Sequence, residues 1–71
     1  MTYSKLLFTA AQKQRRTALS YRSDARGYME LGMDDHAERY FRSFDENWQK
    51  AKRLLMRARQ ERRVERERMA G

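Results

Sequence analysis

The sequence predicts an all-α protein, an antiparallel two-helix hairpin, on three observations. Proline is absent and the glycines are only Gly27, Gly32 and Gly71, too few turn formers for a sheet. Two long stripes of apolar and small residues at helical spacing flank the segment Leu31-Gly32-Met33-Asp34-Asp35. When the chain is folded at that segment, large residues on one stripe meet small residues on the other. The 71 residues make one domain, 1–71, near the lower size limit for a self-sufficient core.

The first helix is expected over about 3–31. Thr2 or Ser4 can cap it by accepting a backbone N–H. Leu7, Ala11, Gln14, Ala18, Tyr21, Ala25 and Tyr28 then follow at steps of four and three, which is one stripe on a helix. Gly27 is a weak point, about 1 kcal/mol worse than alanine in a helix, and either close packing or local flexibility would account for it. Gly32 ends the helix because glycine has no Cβ penalty in the left-handed conformation such ends adopt, giving a turn at 32–34.

The second helix is expected over about 35–66. Asp34 or Asp35 begins it, and Asp35 with Glu38 has the spacing of a capping box. Its stripe is Ala37, Phe41, Phe44, Trp48, Ala51, Leu55 and Ala58. The antiparallel pairing sets Leu7 opposite Ala58, Ala11 opposite Leu55, Gln14 opposite Ala51 and Ala18 opposite Trp48; Tyr21, Ala25 and Tyr28 meet Phe44, Phe41 and Ala37. Most layers combine a large residue with alanine, as close packing requires. Beyond Ala58 the pattern gives way to mixed charge, read as a solvated helix with a frayed, basic C-terminus.

Two helices bury one stripe each, and a scaffold this small needs a staple or a partner. Tyr40, Asn47 and Leu54, seven apart beside the main stripe, form a flank that a second copy would cover. The expectation is a homodimer, a four-helix bundle.

The net charge of +7 permits a nucleic acid, an acidic protein or an anionic surface as partner without choosing among them. Cysteine is absent, which removes disulfides and thiolate metal sites and fits a cytoplasmic protein. Leu6-Leu7-Phe8 is far too short to span a membrane, so no membrane partner is expected. Nor is catalysis: the lone His36 sits among Asp34, Asp35 and Glu38 without a metal-ligand spacing, the serines lack a base, and no glycine-rich loop could hold phosphate. The chain is expected to be no enzyme and to need no cofactor.

Two binding clusters stand out. Arg22, Arg26, Arg39, Tyr40 and Arg42 gather near the turn, and arginine and tyrosine are the residue types enriched at protein-binding hot spots. Lys13, Arg15 and Arg16 lie level with Lys50, Lys52 and Arg53, with Arg57 beyond, as a basic belt suited to phosphate. The favoured function is a non-enzymatic protein-binding module, a stoichiometric inhibitor or modulator of a partner with an acidic surface. The alternative is a small basic DNA- or RNA-binding regulator.

Tyr21, Ala25, Tyr28, Gly32, Ala37, Phe41 and Phe44 are spaced as in a tetratricopeptide repeat, so this stretch resembles one such repeat. Asp24 and Gln49 depart from that pattern, standing where the family has leucine and proline. The resemblance implies a helical hairpin and a tendency to bind proteins. In size and form the chain also resembles small helical bacteriophage proteins that inhibit host factors, which implies the same stoichiometric mode of action.

Overall fold

The computed structural model describes residues 2–70; Met1 and Gly71 of the expected domain lie outside the described residues. Two helices, α1 (Tyr3–Glu30) and α2 (Asp34–Ala70), account for nearly all of them and pack against each other as a hairpin. The result is a rod, 59 Å long and only 16 by 11 Å across.

Of the two candidate caps for α1, Thr2 serves: its hydroxyl accepts the Lys5 N–H at 3.3 Å. Ser4 has a different task. It is 4% exposed, and its hydroxyl and backbone N–H donate to the two carboxylate oxygens of Glu65 at 2.8 and 3.2 Å. A carboxylate from α2 thus satisfies an orphan donor at the N-terminus of α1, where negative charge also suits the helix dipole.

At the turn, Gly32 has φ 74°, the left-handed conformation expected of it. The Met33 N–H donates to the Tyr28 carbonyl at 2.9 Å and the Gly32 N–H to Met29 at 3.0 Å. These two bonds form a Schellman end, closing carbonyls that the helix leaves open. The α2 helix starts one residue earlier than expected, at Asp34, with the Ala37 N–H bound to the Met33 carbonyl at 3.0 Å. Asp35 therefore lies inside the first turn, acting by its charge on the dipole, and Glu38 reaches forward to Arg42 at 3.5 Å. The α2 helix also continues past the expected end near 66, to Ala70. Gly27 has open space where a Cβ would stand, so close packing is not its reason.

The core is a ladder of mostly small residues on seven-residue spacings, with Phe44 standing between Ala37 and Ala51 on α2. Ser4, Ala11, Ala18 and Ala25 are buried on α1, and Ala37, Ala51 and Ala58 on α2, joined by Leu7. No large side chain is fully enclosed among the described residues. A seven-residue repeat keeps one seam facing its partner along the whole helix, and alanine in that seam lets two backbones approach closely. The large residues of both stripes are half-buried and straddle the ladder on its two sides.

Which side each residue takes differs in part from the expected layers. Tyr40 and Asn47, read as an outer flank for a second copy, belong to the helix–helix interface. The Tyr40 ring lies 5.9 Å from that of Tyr21 and 5.0 Å from that of Tyr28, and Asn47 bonds Gln14. Tyr21 thus meets Tyr40 and Gln14 meets Asn47, whereas Phe44 stacks along α2 with Trp48 at 5.6 Å. The ladder carries its large residues on both shoulders, and spacing alone had assigned only one.

Candidate protein-binding groove

The alanine ladder divides the hairpin into two unlike sides. On the first, the flanking column of α1 is Leu7, Gln14, Tyr21 and Tyr28, and that of α2 is Tyr40, Asn47, Leu54 and Glu61. These groups satisfy one another. Gln14 Nε2 donates to Asn47 Oδ1 at 2.7 Å, and Asn47 Nδ2 donates to the Ser43 carbonyl at 2.7 Å. Tyr28 touches both Tyr40 and His36, the latter at 5.3 Å between ring centroids. A hydrogen-bonding interaction with the Tyr28 hydroxyl, then the repulsion between the two phenols, pushes the Tyr40 hydroxyl above the ordinary phenol range.

The second side is open. The flanking columns are Phe8, Arg15, Arg22 and Met29 on α1 and Phe41, Trp48 and Leu55 on α2. Between Phe8 and Arg15 on α1 and Trp48 and Leu55 on α2 lies a groove of about 600 Å³. Ala11 and Ala51 form its floor, Phe8, Trp48 and Leu55 its walls, and Gln12, Arg15 and Lys52 its rim. The floor is low because the ladder is alanine. The Arg15 guanidinium carbon stands 5.8 Å from the centre of the Trp48 ring, and that of Arg22 is 5.8 Å from Phe44. Both cations therefore lie over aromatic faces, an attraction that strengthens as water is excluded.

The two clusters expected from sequence are dispersed around the rod. Of the turn-proximal set, Arg22 lies over Phe44 on the open side, while Tyr40 packs against tyrosines on the closed side. Arg26 and Arg39 are exposed on different helices, and Arg42 is held on the outer surface of α2 by Glu38. Such an exposed pair contributes little, but it shows that Arg42 already has a local acid. Of the basic belt, Arg15 and Lys52 share the groove rim. Arg57 stands 5.9 Å from the Tyr3 ring and shares a surface depression with Arg53, away from the groove. Lys13 and Arg16 are exposed beyond Arg15 on α1, and Lys50 lies in the same seven-residue column as Arg57. The belt encircles the rod instead of forming one track.

Sequence reasoning missed Phe8, Gln12, Leu55 and Trp48 as site residues. Leu55 and Trp48 fall in the core stripe, and Phe8 stands out only as part of the short apolar run Leu6-Leu7-Phe8. The signal available was the column Phe41, Trp48 and Leu55, seven apart, next to the pair Ala51 and Ala58 at the same spacing.

Among the described residues no group of three His, Cys, Asp or Glu side chains is placed to hold a metal ion, and no helix is long and apolar enough to cross a membrane. Comparison with family models, curated proteins and solved structures gives no match to this chain.

Proposed function

We propose that the chain is a non-enzymatic protein-binding module that acts stoichiometrically, occupying a surface of another protein and so inhibiting or modulating it. The observation that supports this reading is the asymmetry of the two sides: Phe8, Trp48 and Leu55 are left around an open groove while the opposite side is closed by its own contacts. Apolar walls with a few polar groups at the rim are the usual makeup of a binding cleft, and tryptophan and arginine supply most of the energy at such contacts. The mode of action is the one implied by the resemblance to small helical bacteriophage inhibitors.

Site-specific photo-crosslinking tests it. A photoreactive phenylalanine analogue at Gln12, on the groove rim, is compared in cells with the same group at Arg63, on the exposed outer surface of α2. The expected result is a one-to-one adduct with a second protein from position 12 alone, whose activity then changes on titration with the purified chain. Adducts only with nucleic acid would transfer the assignment to a DNA- or RNA-binding regulator. Adducts only between copies of this chain would make the groove a dimer interface, completing the four-helix bundle.

A further inference from the structure

The charge around the groove specifies what fits it. Both ionic groups at the rim, Arg15 and Lys52, are cations, and they come from opposite helices. The adjoining seven-residue column of α1 is Lys5, Gln12, Leu19 and Arg26, which contains no acid. On α2 the matching column runs Glu38, Asp45, Lys52 and Arg59, acidic towards the turn and basic alongside Trp48 and Leu55. An occupant lying between Phe8, Trp48 and Leu55 therefore meets a cation on each helix, Arg15 and Lys52.

The shape specifies it too. Trp48 and Leu55 are seven residues apart, so about 10 Å of apolar wall, two helical turns, runs parallel to the helix axes. A straight trough of that length between two helices accepts a third helix, whose anchors recur at three- and four-residue steps. A strand would present its side chains to the groove and away from it in alternation, at a pitch the walls do not repeat.

We infer that the groove between Phe8, Trp48 and Leu55 binds an amphipathic helix of another protein, with large apolar residues along one stripe and aspartate or glutamate flanking it. This rests on the protein-binding reading and names the chemistry of the partner. Two copies meeting groove to groove would set Arg15 and Lys52 of one against the same cations of the other, a like-charge arrangement that opposes self-association. The acidic occupant reverses that sign, and its carboxylates form bidentate pairs with Arg15 while its apolar stripe shields Trp48 from water.

Trp48 is the protein's single tryptophan and lies in the groove wall, so its emission reports occupancy directly. The probes are two synthetic peptides of about four helical turns with the same leucine stripe, one flanked by glutamate and one by lysine. The full-length chain is titrated with each, and mean helicity is followed by circular dichroism. The glutamate peptide is expected to shift Trp48 emission saturably and at least about tenfold more tightly than the lysine peptide, with the preference shrinking as salt rises. Lys52→Glu, an exposed change that leaves the ladder untouched, is expected to erase or invert the preference. Equal binding of both peptides, or an unchanged preference in Lys52→Glu, overturns the acidic-helix assignment. Emission that depends on the concentration of the chain alone, matched by dimer mass in light scattering, replaces the partner helix with a second copy. The photo-crosslinking result separates the two levels: a protein captured at position 12 through a segment that is neither helical nor acidic retains the module reading and overturns this one.

Discussion

The two sides of the alanine ladder use the same number of helical turns for opposite ends. The tyrosine side is closed: an amide pair, a backbone carbonyl and three phenol rings satisfy one another across the hairpin. The tryptophan side has arginines laid over its aromatic rings and a groove left between its walls. Placing the polar interlock on one side fixes register, because Gln14 finds Asn47 only in one alignment. The other side is then free of that task and can remain incomplete. In a rod this thin, rigidity and recognition are divided between left and right instead of between inside and outside.

The largest test of that division is Trp48→Ala. Although it borders the groove, Trp48 is half-buried against Phe44, and its removal should lower stability by about 3 kcal/mol in chemical denaturation. A change of a few tenths would mean that the open side adds nothing to the hairpin itself. Next comes Ala18→Leu. Ala18 is fully buried in the ladder, so the larger side chain must spread the helices, at a cost of about 2 kcal/mol. That substitution should disturb both sides at once, seen as altered Trp48 emission together with faster amide exchange around Tyr21; an effect confined to one side would contradict a shared ladder.

Gln14→Ala follows, at about 1 kcal/mol, because Asn47 loses its cross-helix donor but keeps Ser43. A double-mutant cycle with Asn47→Ala should show coupling, and strict additivity would remove the amide pair from the account of register. The smallest effect sharpens the closed side through pH. With the Tyr40 hydroxyl raised above its usual 10.0 in the folded chain, the neutral form is favoured by folding. Stability is therefore fully present below pH 10 and is lost as pH climbs through the raised value. Tyr40→Phe should flatten that alkaline decline in melting temperature relative to the parent, and an identical pH profile would take Tyr40 out of it.

Much of the fold was legible because it depends on local chemistry. Gly32 marked the left-handed turn, and the stripe positions on both helices are all buried or half-buried. What periodicity could not supply was rotation. Tyr40 and Phe41 lie on either shoulder of the same alanine column, and only the side chains of the other helix decide which shoulder is closed. The same limit hid the groove, since Trp48 and Leu55 satisfy a core pattern whether or not anything covers them. The arginine clusters are spread out for a related reason: neighbours in sequence or level along the rod can point in different directions around it. Glu65 has Arg68 three residues away in the sequence, whereas Ser4 becomes its neighbour only after the hairpin has closed.

That last contact has a kinetic meaning. Ser4 and Glu65 are 61 residues apart, whereas the Schellman bonds at the turn span five residues or fewer. Loop-closure entropy makes the hairpin zip from Gly32 outward, with the Ser4–Glu65 clasp the final tooth to engage and the first to release. Amide protection should accordingly decline from the turn towards the termini, with the Ser4 N–H exchanging through a local opening that leaves the tyrosine side intact. Phe8, one turn from Ser4, stands closest of the groove walls to that clasp, so the groove borders the last part of the rod to close.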